Sequence, residues 1–486
     1  MQSSKLSRFL YAFLAVGAAG ILIIIWLFAA RSYAGIFTSA RLIFLIVSLV
    51  LAAAVILAGS RLRWGNGLSD RAFVLLAVIL TLTTRLFWVL AVDTAPFSDF
   101  LHMHNYGVAV SRGDFTNYVD FYSCFPFKFG FGFLVGGLYA LFGANPLVVQ
   151  LFNVFLSLVQ VLFVYLIARE IEPGSARPAV LFYALWPAQI MYCSVVAAEN
   201  SFLVPFLAAI YVLVIFSRRH AGSPKGYALL VLAGALTAIA QAMRPMAMVL
   251  VPAAAVCILF FIPRCGPKGR DIAQKAFCVV LAALSYFAVL KLASIPIKEL
   301  SGIDITRSGS GYNFLVGTNY EANGMFNQED FSIIAKYDFD FDRVHSEAQK
   351  LAIQRIREDP ARFLKLMVKK TNYQWGKEDY GYYWSIISAE GGGRLEEFIK
   401  LHPRYFYAGS QLFYLVILFL AAAGCYAAYR RKTMAPALFW LVIGAMFLAY
   451  CFLEVQSRYH MPAVPLFIML AGLGAAEIKG MMPGKK

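Results

Sequence analysis

Two clusters of polar residues, each set against an apolar run, carry the chemistry this chain could do. The first is Asp93-Thr-Ala-Pro-Phe-Ser-Asp99-Phe, followed by Leu-His102-Met-His104-Asn-Tyr106 and preceded by an apolar stretch that holds Arg85. A carboxylate here can take the proton of an attacking hydroxyl as a general base. Ser98 and Asp99 can equally do no more than cap the next helix. The second is Glu454-Val-Gln-Ser-Arg458-Tyr459, where a guanidinium beside a phenol suits a phosphate, because its fork meets two anionic oxygens at once. The alternative is an i, i+4 pair of Glu454 with Arg458 that only steadies a helix end, worth about 0.3–0.5 kcal/mol. Arg244 stands in Met243-Arg-Pro245 between two apolar runs, where it can meet an anion or act as a snorkelling anchor. Lys128 and Glu199 complete the set of charges beside apolar runs.

The elements that must position these groups are membrane helices. Of 486 residues 60% are apolar and 14% charged, against roughly 25% charged in a soluble domain, and many apolar runs approach the ~20 residues that cross a bilayer. Twelve spans are expected, near 9–30, 41–59, 72–92, 147–168, 178–194, 201–217, 227–243, 246–263, 274–294, 408–429, 435–453 and 458–478. The segments 1–8, 60–71, 169–177, 218–226, 264–275, 430–434 and 479–486 then share one side and hold 20 Lys and Arg, so this side is cytoplasmic. The formal charge of +16 is therefore a topological signal and not a nucleic-acid surface. Phe127–Phe142, glycine-broken and short, must be interfacial or re-entrant to keep this parity.

Asp93–Pro146 and Ser294–Tyr407 become outer segments, which brings Arg85, Asp93, Asp99, Lys128, Glu199, Arg244, Lys291, Glu454 and Arg458 to one depth at the outer surface. The expected division is 1–293 as nine helices with a catalytic outer loop at 93–146, 294–407 as a small α or α+β outer domain, and 408–486 as three helices and a cytoplasmic tail. The outer domain holds 16 acidic and 15 basic residues, and its stretch 309–320 offers Tyr312 and Asn319 as sugar-binding groups. Ser346 with Gln349 fits a capping box, with helical faces on both sides of Pro360. Asp338-Phe-Asp340-Phe-Asp342 imitates a calcium loop but lacks its Gly and Glu at the required places, so a solvated turn is expected. Seven cysteines without regular spacing suggest neither a disulfide framework nor a zinc site, and Cys124 is expected as a free thiol.

In order along the chain, Pro-Phe-Ser-Asp99-Phe, Tyr139-Ala-Leu-Phe-Gly143, Tyr165-Leu-Ile-Ala-Arg169, Ala198-Glu-Asn200, Met243-Arg-Pro245 and Glu454…Arg458-Tyr459…Pro462…Pro465 resemble the GT-C glycosyltransferases. The likeness is to the bacterial ArnT-like and protein O-mannosyltransferase-like branch. It runs over about 72–478 and leaves the first two helices as an added pair. Two departures stand out: Lys128 lies in Phe125-Pro-Phe-Lys where the family often has Lys-Pro-Pro, and Phe100 replaces the second acid of the family's Asp-Glu pair.

The resemblance implies an inverting, multi-pass enzyme of the bacterial inner membrane with its site facing outward. The donor is a polyprenyl-phosphate sugar and the acceptor a lipid, a cell-wall glycan or a protein. Asp99 is the base; Arg244, Arg458, Tyr459 and Lys128 meet the donor phosphate; Arg85, Asp93, His102, His104, Glu199 and Glu454 line the site. Basic partners for a monophosphate require no metal and no cofactor, and the helix at 127–142, with its smooth aromatic Phe-Gly-Phe-Gly-Phe face, fits either a surface for the lipid tail or interfacial packing. The rival classes are a lipid or glycan transporter or flippase, and a ligase or polymerase of lipid-linked glycans. The topology has a direct check: in intact cells, a membrane-impermeant thiol reagent should reach a cysteine placed at Ser310 and not one placed at Ser223, and the reverse pattern would invert the assignment.

Overall fold

The computed structural model describes residues 5–36, 67–117, 119–262, 265–266, 269–307, 309–432 and 434–481. The apolar stretch at 41–59 lies outside them. Among the described residues no strand forms, and one isolated antiparallel bridge joins Thr94 to Ala389. Nine helices among these residues are long and apolar enough to cross a bilayer: Lys5–Ile36, Asp70–Ala91, Pro146–Ile171, Glu199–His220, Pro224–Met243, Asp271–Ser301, Pro403–Arg431, Met434–Phe452 and Ser457–Ile478. Their starts follow local rules. The Asn145 and Ser223 side chains accept from the N–H of Leu147 and Gly226, each just ahead of a proline that needs no N–H partner.

Two expected spans are broken, both by proline. Residues 178–194 divide into Pro173–Ala184 and Pro187–Tyr192. Pro187 has no N–H to give the Tyr183 carbonyl, and Arg85 fills the gap, with Nη2 at 3.0 Å from Tyr183 O and Nη1 at 2.6 Å from Ala184 O. The segment after Arg244 opens as a 3₁₀ turn, Pro245–Val249, and only Leu250–Phe260 is α-helical.

Charges gather in two layers at opposite ends of the bundle. At one end Asp70 meets Arg177 at 2.9 Å, Glu170 meets Arg219, and Arg431 meets Glu172 at 3.1 Å and Glu477 at 3.3 Å. Helices that begin or end in this layer have their other ends near Asp93, Glu199, Arg244 and Arg458.

The helix Phe129–Phe142 lies inside this architecture. It packs on Asp99–Ser111 and against Pro224–Met243, with Phe129 and Phe131 fully buried. Its glycines permit the approach: a Cβ on Gly130 would stand 2.0 Å from the Ala242 carbonyl oxygen, and one on Gly132 would stand 2.4 Å from the Tyr106 ring. Of the two roles open to the Phe-Gly-Phe-Gly-Phe run, packing is the one it takes: it is a helix-packing seam.

The outer segment is all-helical among its described residues. The helix from Asp271 continues past 293 to Ser301 and stops at Gly302, whose φ of 78° suits a left-handed cap. The helix expected to open at Ser346 starts earlier, at Phe341, because Asp340 accepts from the Arg343 N–H and serves as its cap. Pro360 does divide this pair of helices, and Asp359 caps the second. Tyr312 and Asn319 are buried; Asn319 donates to Asp330 at 3.0 Å. Tyr312 belongs to the domain core, whereas Asn319 also lines a polar hollow of the segment.

Gly130→Val tests the seam. It should destabilise the protein by about 1–3 kcal/mol, the usual range for overpacking, and lower the midpoint of a thermal scan in detergent, whereas Gly137→Ala, with open space around it, should leave the midpoint unchanged.

Candidate active site

Asp99 opens the helix Asp99–Ser111 directly after Ser98, whose backbone lies at φ 54° and ψ −132°. An L-residue seldom adopts this conformation, and such strain persists only where the surroundings enforce it. It turns the chain so that Asp99 Oδ2 meets two cations, Lys128 Nζ at 3.5 Å and Arg458 Nη2 at 3.3 Å. The Asp99 side chain keeps 35% of its surface open, while Arg458 keeps 6%. An incoming molecule therefore meets the carboxylate with its cations already in place.

The Lys128 ammonium, with Arg458 assisting, holds the Asp99 carboxyl down at about 2. An unfolded aspartate titrates near 3.9, so the interaction favours the folded state above about pH 4 and this contribution disappears as pH falls through about 2. Glu454 goes the other way: burial, then the Asp99 charge, pushes its carboxyl up. It does not pair with Arg458 along a helix face; it accepts from Tyr459 Oη and Gln456 Nε2, each at 3.3 Å. Two neighbouring carboxyls thus have their proton affinities driven apart, an arrangement that separates acid from base roles.

Tyr459 joins this trio to a second ion pair. The Arg458 guanidinium lies 5.7 Å and the Arg244 guanidinium 5.4 Å from the centre of its ring. Arg244 is bound to the buried carboxylate of Glu199, so the acid missing from its own hairpin comes from the start of the preceding helix, Glu199–Ile215. The remaining walls around Arg458 are aromatic: Phe100 at 4.6 Å and Trp384 at 5.0 Å. Trp384 comes from the outer segment, which the sequence reading had separated from the chemistry.

The other expected residues take different places. Arg85 is fully buried, with Nε on Gln189 at 2.8 Å, and supports the fold from below the cluster. Gln189 in turn donates to Asn200 Oδ1 at 2.9 Å and so steadies the helix start that carries Glu199. Asp93 is exposed beside the outer segment; its N–H donates to Glu396 Oε2 at 3.0 Å and its carbonyl accepts from Glu390. His102 is exposed. His104 pairs with the Tyr139 hydroxyl at 2.7 Å, and burial lowers its pKa.

Sequence reasoning missed a buried anchor behind Arg458. His460 contacts Glu378 Oε2 at 2.6 Å and Gln374 O at 2.5 Å, while the Trp186 indole and the Tyr380 hydroxyl donate to Glu378 Oε1. The acidic Glu378-Asp379 pair ahead of the aromatic run Tyr380-Gly-Tyr-Tyr-Trp384 was the available signal. On the Lys128 side a largely apolar groove of about 380 Å³ opens between Phe127, Pro245, Met248, Tyr286, Phe287 and Leu290. No group of three or more metal-ligating side chains occurs among the described residues.

Residues 128–291 match the family described as dolichyl-phosphate-mannose-protein mannosyltransferase. The matched segment contains Lys128, Glu199 and Arg244 and excludes Asp99 and Arg458. Among solved structures, the chain is similar to the archaeal oligosaccharyltransferase AglB from Archaeoglobus fulgidus in complex with an inhibitory peptide and a dolichol-phosphate. The identity is 13% and the TM-score 0.46, over 84% of this chain and 50% of that one. The same enzyme with zinc and sulfate gives 14% and 0.45, over 83% and 48%. ArnT from Cupriavidus metallidurans bound to undecaprenyl phosphate gives 13% and 0.31, over 85% and 79%. The chain thus spans about half the length of the oligosaccharyltransferase chains. No curated protein matches it.

The Arg244–Glu199 pair separates structural from phosphate-binding roles. If the pair is structural, Arg244→Ala leaves a buried carboxylate alone and should cost about 3–5 kcal/mol, with much of the loss recovered in the double variant Arg244→Ala, Glu199→Gln. Thermal denaturation of the three proteins measures this. A stable Arg244→Ala protein that has lost polyprenyl-phosphate binding would instead assign Arg244 to the donor.

Proposed function

We propose that this chain is a membrane glycosyltransferase that moves a sugar from a polyprenyl phosphate to an acceptor hydroxyl at the outer face of a bacterial inner membrane, with inversion. The observation that carries the reading is Asp99, an open carboxylate held between Lys128 and Arg458 at the mouth of a membrane bundle. The motif order and the family match over 128–291 support it.

The donor places its phosphate at the membrane surface and its lipid in the groove beside Phe127. Lys128 and Arg458 then have a second anion to serve. As they turn toward the phosphate, Asp99 loses the charges that hold its pKa low and becomes a stronger base. The acceptor oxygen attacks the anomeric carbon from the face opposite the phosphate, Asp99 takes its proton, and the bond from carbon to phosphate oxygen breaks. The polyprenyl phosphate leaves with that electron pair, stabilised by the two cations; a well-placed donor of this kind contributes about 2.7–4 kcal/mol. Arg244, locked on Glu199, acts by holding the Tyr459 ring between the two guanidinium groups.

A transporter would need its charges to open alternately to both sides. Here the cluster is fixed at one end by pairings among four separate chain segments, which favours chemistry. A lipid-linked glycan ligase or polymerase would use the same trio and differ in its donor.

Asp99→Asn should lower transfer by about 10²–10⁴-fold, the usual contribution of general base catalysis, while native mass spectrometry still finds bound polyprenyl phosphate. Glu454→Gln should retain transfer within a few-fold. If instead Glu454→Gln abolishes transfer and Asp99→Asn does not, the base is Glu454 and Asp99 only holds the cations.

A further inference from the structure

Exposed apolar side chains flank Asp99 on elements that share no residue with the Phe127 groove. Phe97 and Leu101 are 44% and 43% exposed, one just before the Asp99 helix and the other in its first turn. Tyr383 and Ile387, one helical turn apart, are 43% and 52% exposed. The two elements are joined, since Ala95 N donates to Ser388 O at 3.1 Å and Glu390 N to Asp93 O at 3.0 Å. Phe97 also stands 6.1 Å from the Trp384 ring that covers Arg458. The rim therefore leads directly into the site.

The rim continues into an amphipathic helix, Arg394–Leu401, drawn against the Asp93 loop by Glu396. Glu396 and Ile399 are buried, while Phe398 and Leu401 are 54% and 70% exposed. At Pro403 the chain enters Pro403–Arg431, a helix long and apolar enough to cross a membrane, which puts 394–401 next to the start of that span. An amphipathic helix of this pattern suits the headgroup region, and clustered exposed Phe and Leu mark a surface for a membrane or a partner.

Resting on the transferase reading above, we infer that the acceptor is a membrane-resident amphiphile that reaches Asp99 sideways out of the outer leaflet, between Phe97 and Leu101 on one side and Tyr383 and Ile387 on the other. A polar hollow of about 340 Å³ around Tyr320 in the outer segment offers a soluble protein or glycan polymer little to bind. The Tyr320 ring is already covered by Lys369 at 3.7 Å and Arg362 at 4.5 Å. The arginines there are paired too, Arg355 with Asp330 at 2.6 Å and Arg362 with Glu321. Donor and acceptor thus approach the trio along two different apolar faces, which keeps their lipid parts from competing.

Two measurements on the full chain test this. A fluorophore on a cysteine placed at Ile387 or Phe398, in phospholipid nanodiscs, should be quenched by lipids carrying a nitroxide near the headgroup and little by aqueous iodide; strong iodide quenching without nitroxide quenching would overturn the rim. Membranes containing the chain or its Asp99→Asn variant are then given polyprenyl phosphates bearing ¹⁴C-labelled hexose or pentose. Label that depends on Asp99 should partition with organic-soluble products. Asp99-dependent label in protein or polymer fractions would overturn the acceptor class alone, and no Asp99-dependent label in any fraction would overturn the transferase reading beneath it.

Discussion

A charge at the edge of a low-dielectric bundle is tolerated only with its counter-charge in contact, because the cost of desolvating an unpaired ion exceeds what the rest of a small cluster can return. The ion pairs around the proposed site meet this condition by joining segments distant in sequence: Asp99 answers Lys128 and Arg458, and Glu199 answers Arg244. Glu378 is held in the same way by hydrogen bonds from residues far along the chain, Trp186 and His460 among them. These pairings hold the ends of helices 199–215, 224–243 and 464–481 at one level, and they require the chain to bring 93–128 and 374–386 to the same place. The strained Ser98 backbone and the aromatic walls around Arg458 follow from that requirement.

The same constraint explains the division between reactive and structural charges. Glu199, Arg244 and Glu378 are enclosed and matched one to one or better. The trio is different, with two cations on one carboxylate and that carboxylate partly open. It carries an excess of positive charge, which an anionic donor can complete without any new charge being buried. Arg85 shows the opposite limit: a guanidinium spent on the carbonyls freed by Pro187, where it stabilises a broken helix and has nothing left for a ligand.

The outer segment contributes to the site through its last part. Its compact core holds Tyr312 inside, and the arginines of its polar cleft are paired within the segment. The stretch 374–390 instead reaches under the bundle's mouth, placing Trp384 over Arg458 and anchoring Glu378 on His460. Linkage of this kind ties the position of the segment to the integrity of the site.

The sequence alone determined the all-helical membrane class and offered Asp99, Arg244, Arg458, Tyr459 and Lys128 as candidates for chemistry and phosphate binding. Those properties depend on composition, run length and residue type, which act locally. Partner choice was not legible. Arg458 could have paired with Glu454 four residues before it, and Arg244 had no acid nearby in the chain; only the packed bundle brought Asp99 and Glu199 to them. The Phe-Gly-Phe-Gly-Phe run fitted a lipid surface and a packing seam alike, because periodicity cannot distinguish helix–helix contact from lipid contact, both being apolar. Trp384, Glu378 and His460 lay hidden for the same reason: a contact between residues some eighty positions apart is set by three-dimensional packing, and no local pattern records it.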